Sequence, residues 1–420
     1  MTPAGFAKRK DNGSLWRLET AARRDAILEE SEVTTTAPTK RPVRRMLPLI
    51  LPLLVALLAQ RPAVAMPDHE DLRYAWTQLA SDQPLAGHSA LVTPGNALVV
   101  IGGESGFGLP GRARQLDLAS PEGSWTDLRG SGDLPRPRQT GRGLIGARAL
   151  VDPEGDRLLL VCDCEEGQTF FLDLDSGVWS RMESERSLPL WFPALVYDAA
   201  RRRAVLFGGD LYGTNTLQDA AYSLDLSQDG SDWQPLPPTP FAYLHQALAV
   251  ESGSGHLVVA FGQDGMGQPV DAIWRLDLAR IDEADAWQRL TPIAPEGAPG
   301  ARIGASLIFD GESAAGYLFG GYVASEAGAE DLADLWRLDY DDPGRPSWER
   351  LEAEGAVPQP RAGHGAVWDA RGGRMLVYGG ARTAGGDASY LDEALALEIG
   401  PAIAGSRIYL PAAFNGNDDR

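Results

Sequence analysis

Three strand-like segments decide the reading: one beginning Arg361-Ala-Gly-His364, then Arg374-Met-Leu-Val-Tyr-Gly-Gly380, then Glu393-Ala-Leu-Ala-Leu397. Short apolar runs bounded by glycine, aspartate and proline have the length and composition of buried strands rather than helices. Versions of the same pattern recur upstream, where a Trp-x-x-Leu segment usually follows. Here that fourth element is missing, and an orphan copy stands far upstream as Trp76-Thr-Gln-Leu79.

Internal repetition follows from this comparison. Apolar runs end in a glycine pair at Val99-Val-Ile-Gly-Gly103, Val205-Leu-Phe-Gly-Gly209, Tyr317-Leu-Phe-Gly-Gly321 and Leu376-Val-Tyr-Gly-Gly380. Two copies depart: Leu160-Val-Cys-Asp-Cys164 has Asp163-Cys164 in place of the pair, and Val259-Ala-Phe-Gly-Gln263 is read with Gln263 in place of the second glycine. A second run then ends near Leu-Asp-Leu, as in Gln115–Leu118, Phe171–Leu174, Ser223–Leu226, Arg275–Leu278 and Arg337–Tyr340. After an Asp/Gly/Pro/Ser turn comes tryptophan, at Trp125, Trp179, Trp233, Trp287 and Trp348, with Trp76 as the sixth.

A four-stranded sheet covered on both faces needs continuous apolar inner strands. Glycine allows a sharp, positive-φ exit, tryptophan fills the gap between neighbouring sheets, and Asp-Gly turns close the hairpins. The ordered set of Arg-x-x-His, Gly-Gly, Leu-Asp and Trp-x-x-Leu over about residues 74 to 400 resembles the kelch repeat family. The resemblance implies an all-β fold, a six-bladed β-propeller whose ring is closed by an N-terminal outer strand, Trp76 to Leu79, pairing with the last blade. A seventh Gly-Gly copy is not found in the sequence.

The chain carries 38 Lys+Arg against 58 Asp+Glu, a formal net charge of -20. Basic residues are concentrated before Met66, and no lysine follows it. So acidic a surface repels phosphate backbones and anionic lipid, which argues against nucleic acid as a partner. Residues 1–45 read as a polar extension, disordered or a mis-assigned start, and 46–65 as a signal peptide. Arg41, Arg44 and Arg45 precede the apolar run Met46 to Leu58, and Ala63-Val64-Ala65 forms a small-x-small site. That run falls short of the roughly 20 residues that span a bilayer as a helix, so cleavage after Ala65 and an exported, secreted or cell-envelope, monomeric protein without a membrane anchor are expected. Residues 66–400 form the propeller and 401–420 a solvated tail.

In a blade of this order, the loop after the second strand and the crossover into the next blade emerge together. Those segments are the longer ones, and rigid scaffolds place recognition on such loops. Candidate partner-binding residues on that face are Arg302, Arg361, His364, Trp191, Tyr243 and Tyr322, with Phe192 and Phe107 nearby. Arginine with aromatics suits a carboxylate-bearing or carbohydrate ligand or a protein hot spot. The competing reading makes Arg302 and Arg361 repeat residues that bond neighbouring carbonyls. His88 and His364 share one repeat position, with His245 within a residue of it. A structural role is preferred to a metal ring there, because the other units hold Ala147, Pro193 and Ala305. His69 and His256 complete the histidines. Cys162 and Cys164 are a possible small-loop disulfide if Asp163 turns the chain, with buried free thiols as the alternative.

The expectation is a non-catalytic recognition module that binds a protein or glycan and needs no cofactor or metal. The alternative is an extracellular carbohydrate-active hydrolase or lyase, with Asp210, Asp264 and Glu104 as acid-base candidates.

Overall fold

The computed structural model describes residues 72–401, apart from 106–112, 129, 137–143, 163, 165–167, 212–215, 244–246, 251–254, 311–312, 326–327 and 383–388. The expected extension, signal segment and tail lie outside these residues, as do His69, Phe107 and His245. Among the described residues no helix is long and apolar enough to cross a membrane.

The architecture is all-β. Among the described residues, six sheets of at least four strands follow one another along the chain, each with four antiparallel strands in the order first, second, third, outer; in the second and sixth, Ser131–Gly132 and Glu354–Gly355 add a short parallel strand outside the outer one. The first sheet takes Ala86–Val92, Ala97–Glu104, Ala113–Asp117 and Thr126–Asp127; the second takes Arg148–Asp152, Arg157–Val161, Thr169–Asp173 and Val178–Arg181. In the third they are Ala194–Asp198, Arg203–Phe207, Ala221–Asp225 and Gln234–Leu236, and in the fourth Ala247–Val250, His256–Ala260, Ile273–Asp277 and Trp287–Leu290. The fifth is built from Ser306–Phe309, Ala315–Ser325, Gly328–Asp339 and Ser347–Leu351. The sixth has Gly365–Asp369, Arg374–Tyr378 and Glu393–Pro401, with Leu72–Ser81 as its outer strand. That pairing from opposite ends of the chain puts Trp76 opposite Leu397 and Tyr74 opposite Ile399.

Apolar second strands are buried because both faces of each sheet are covered; Leu158, Leu159, Leu160 and Val161 are all fully inaccessible. Each core cluster joins two successive sheets. Val99 and Ile101 meet Leu158 and Leu160, and Tyr74, Trp76 and Leu397 meet Tyr317 and Phe319. Tyr378 and Leu376 of the sixth sheet pack with Leu98 and Val100 of the first. The tryptophans fill these seams: Trp76 lies 4.9 Å from Phe319, Trp125 4.8 Å from Tyr378, and Trp287 5.5 Å from Phe207, ring centre to ring centre.

The glycine pair does more than turn the chain. Its second member donates its N–H to the residue that leads into the next sheet: Gly103 to Leu144, Gly209 to Tyr243, Gly262 to Arg302, Gly321 to Arg361 and Gly380 to Leu85. This register corrects the reading of the fourth unit. Ala247 pairs with Ala260 where Ser306 pairs with Phe319, so Phe261-Gly262 occupies the place of the pair, and Gln263 lies beyond it. Phe261 takes the left-handed conformation itself, φ 61°, and is held there by burial against Trp348. In the Leu-Asp motif the carboxylate accepts a backbone N–H two residues on, from Ala119 at Asp117, Ser227 at Asp225, Ala279 at Asp277 and Asp341 at Asp339, which fixes the following turn.

Candidate functional site

Among the described residues, the segments that follow the glycine pairs in the third, fifth and sixth units form ladders. In the fifth sheet the second and third strands continue past Gly321 as a hairpin that pairs Tyr322 with Asp331 and Ser325 with Gly328. In the third, Trp191 pairs with Asp210 and Leu211 with Thr216; in the sixth, Ala381 and Arg382 pair with Tyr390 and Ser389. Tyr322 is anchored by reciprocal backbone bonds with Ile303, of 2.9 and 3.0 Å. Tyr243 stacks on Phe241 with 5.1 Å between ring centres. Trp191 lies 4.9 Å from Phe192, and its carbonyl flanks Gly209, whose N–H bonds the Tyr243 carbonyl, so the two aromatic segments are adjacent. Trp191, Tyr243 and Tyr322 are half-buried, and Phe192 is buried.

Arg302 and Arg361 are placed differently from a surface anchor: both are buried, at 2% and 0% exposure. Arg302 donates to the carbonyls of Gly300 and Gly320 and grips Asp334 with two bonds of 2.7 and 2.9 Å. Arg361 repeats the arrangement, donating to the carbonyls of Gln359 and Gly379 and to Glu393 at 2.5 Å. Burial pushes both carboxyls up, but the guanidiniums more than offset it and hold Asp334 and Glu393 below the usual carboxylate range. The fork geometry of arginine suits it to clamp a strand exit and an acid at once.

Beside them, the first strands line an open cavity of about 190 Å³. Its polar lining is His88, Ser89, Arg148, Ser306 and His364, contributed by the first, second, fifth and sixth sheets. A chain of backbone hydrogen bonds runs across the start of these strands: Gly363 to Gly304, Gly87 to Gly363, Gly146 to Gly87, and Phe192 to Gly146. Every donor in it has positive φ, including Phe192 at 51°. A Cβ on Gly304 would sit 2.9 Å from the Gly363 nitrogen, so the small residue permits the close approach.

The Ser306 hydroxyl and His364 Nε2 are 2.9 Å apart, while His364 Nδ1 has no hydrogen-bond partner. At the equivalent junction between the sixth and first sheets the serine is replaced by Gly365, whose added Cβ would lie 2.7 Å from His88 Nε2. Both ring nitrogens of His88 lack a hydrogen-bond partner; a weak approach to the Tyr378 backbone falls short of hydrogen-bond geometry. Burial is the main reason that both imidazoles are pushed down to about 3, helped by Arg148 beside His88 and Arg361 beside His364, so both are neutral at pH 7. Arg148 donates to the Ala147 carbonyl at 3.1 Å and lies over Phe192, 5.2 Å from the ring centre. Among the described residues it has no carboxylate within ion-pair distance, and burial alone lowers it to about 10.

Cys162 and Cys164 are joined as a disulfide with Cα atoms 5.1 Å apart and are fully buried in the seam between the first and second sheets. His256 begins the second strand of the fourth sheet, edge-on to Tyr340, away from the cavity lining. Of the acids, Asp264 is occupied in its own loop, accepting from the Met266 and Gln268 N–H groups. Asp210 is buried, its Oδ1 has no hydrogen-bond partner, and desolvation pushes its carboxyl up. Glu104 ends a strand of the first sheet and lies near Tyr390. Among the described residues no group of three or more His, Cys, Asp or Glu is arranged to hold a metal ion.

Two features were missed in the sequence. Arg148 stands one residue after the shared histidine position, where the other units have Ser89, Ala194, Ser306 and Gly365; its signal was a charge inside an apolar inner strand. The other is a recurrent buried pair, Asp152–Arg157, Asp198–Arg203 and Asp369–Arg374, at 3.0, 2.9 and 2.9 Å. An aspartate ending one strand and an arginine five residues on would have revealed it.

No family model matches the chain. It is 27% identical over 228 residues to putative adagio-like protein 2 of Oryza sativa subsp. japonica, covering 50% of this chain and 34% of that protein. It is 28% identical over 222 residues to adagio-like protein 3 of the same plant, covering 50% and 33%. The matched region thus spans about a third of the length of these relatives. Among solved structures, that of YjhT aligns with a TM-score of 0.55 at 14% identity, over 76% of this chain and 96% of that one, a likeness of fold alone. Together these findings give loose support to a kelch-like family and a β-propeller fold.

Proposed function

We propose that the chain is an exported, six-bladed, kelch-like propeller closed by its N-terminal outer strand, and that it is a non-catalytic module recognising a protein or glycan through the face that carries the built-out hairpins. Six core clusters joining successive sheets, with one between the sixth and the first, support the closed ring. The observation that carries the binding reading is the set of laddered extensions after the glycine pairs, with Trp191 and Tyr322 half-buried on two of them. A loop held by a hydrogen-bonded ladder loses little freedom on binding, and aromatic anchors supply most of the energy of such contacts. The arginines belong to the frame of this face, because their donors are engaged within the sheets.

Glycan and protein arrays probed with the purified protein test the proposal. Saturable binding that falls at least tenfold in Trp191→Ala or Tyr322→Ala, with the melting temperature retained, supports it. Turnover of an arrayed sugar, abolished by Asp210→Asn, would instead establish the hydrolase.

A further inference from the structure

We propose that the cavity between the first strands is a binding site for a small monocarboxylate, held by the Arg148 guanidinium and completed by the imidazoles of His88 and His364. The inference goes beyond recognition on the hairpin face, since it concerns different residues and a ligand of different size.

Three independent observations point to it. Arg148 is a guanidinium in a cavity wall with no acidic partner among the described residues, although the chain has 58 acidic side chains against 38 basic ones and ion pairs recur in the sheets. Arg148 is half-buried, and an oxyanion that can enter is the natural complement of a guanidinium with no carboxylate partner. His88 is 4% exposed, lines the same cavity and leaves both ring nitrogens unpartnered. Its missing partner has a cause in the sequence: the repeat position that carries Ser306 opposite His364 carries Gly365 opposite His88, and any side chain there would strike the imidazole. Finally, the volume of about 190 Å³ suits a carboxylate with a short substituent.

The charge count favours a monoanion. One guanidinium with two neutral imidazoles offsets one negative charge, and the strongly acidic surroundings disfavour a dianion such as phosphate. Arginine presents two parallel N–H donors that match a carboxylate; the neutral His88 ring offers one donor and one acceptor to the ligand, and His364, whose Nε2 is engaged by Ser306, offers Nδ1.

The test is a titration of the full-length protein at pH 7.5 with sodium acetate, sodium lactate, sodium chloride and inorganic phosphate, followed by calorimetry and by thermal unfolding. Acetate or lactate is expected to bind saturably with a Kd of about 10 mM or below and to raise the melting temperature more than chloride at equal ionic strength. Arg148→Met is expected to weaken this at least tenfold, and to melt without ligand close to the parent, since it removes a half-buried charge that has no carboxylate partner among the described residues. Arg148→Lys, which keeps the charge and loses the fork, is expected to lie between them. Absence of saturable carboxylate binding to the folded parent would overturn the proposal. So would equal binding by Arg148→Met, or a preference for phosphate or chloride over both carboxylates.

Discussion

The fifth and sixth sheets are near copies of each other, and the second sheet departs from them at three polar landmarks while keeping the Leu-Asp turn and the tryptophan. Where the copies have Arg302 and Arg361, each bonded to a glycine carbonyl and to an acid 32 residues on, the second sheet has Leu144. In place of the glycine pair it has a buried disulfide, and at the position of Ser306 and Gly365 it has Arg148. Its hydrophobic seam is nevertheless as well buried as theirs. The apolar strands and the tryptophan are therefore sufficient for a sheet of this kind, and the polar landmarks are free to vary. Of these departures only Arg148 lines the cavity, while Leu144 and the disulfide sit in the seam.

The largest expected effect tests the shared part. Trp76→Ala in the sixth sheet and Trp179→Ala in the second, which are 2% and 5% exposed, should each destabilise by up to about 5 kcal/mol in denaturant titration. A loss at Trp179 below half that at Trp76 would show that the second sheet is held by something else. Next, Arg361→Met leaves Glu393 buried without its partner and should cost about 3 kcal/mol, whereas the double variant Arg361→Met, Glu393→Met should recover most of it. Equal losses in the single and double variants would mean that the glycine carbonyl, not the acid, is what Arg361 holds.

The third expectation concerns pH. The folded state holds His88 and His364 at about 3, below the usual 6.5, so the unfolded chain binds more protons between those values. Stability is full above 6.5 and falls as the pH drops; at pH 5.5 the loss should be about 1.4 kcal/mol for each histidine, about 2.8 for both. The lowered carboxyls of Asp334 and Glu393 act in the same sense only below about 4.5; between 6.5 and 4.5 His256, also lowered by burial, adds to the loss and the raised carboxyl of Asp210 opposes it, so the two cavity histidines are identified by their variants. His88→Gln and His364→Gln should each flatten half of that dependence, and an unchanged profile would place the titration elsewhere. The smallest effect is at the disulfide. Reduction, or Cys162→Ala with Cys164→Ala, should cost about 1.5 kcal/mol because so short a loop restrains the unfolded chain little.

The fold was legible because its requirements recur: glycines at strand exits, Leu-Asp turns and seam tryptophans are set by local geometry, which repeats with the unit. The fourth unit was misread by one residue because Phe261 adopts a conformation that composition assigns to glycine, and only burial against Trp348 and the Arg302 guanidinium makes it tolerable. The candidate site was less legible. Arg302 and Arg361 were visible as repeated residues, but their internal partners Asp334 and Glu393 lie 32 positions away, beyond any local pattern. Arg148 and the unpartnered His88 acquire meaning only once residues from five separate units converge on one cavity.

The pairing of Leu72–Ser81 with Glu393–Pro401 has a consequence for the order of events in time. A strand made among the first must wait for one made among the last, so translation of some 320 residues separates the two halves of the sixth sheet. Until they meet, Trp76 and the third strand's free hydrogen-bonding edge are both exposed, each capable of pairing with another copy. The nascent chain thus passes through a long vulnerable interval that ends in one event, and a chaperone that shields Leu72–Ser81 would act at the step that decides between monomer and aggregate.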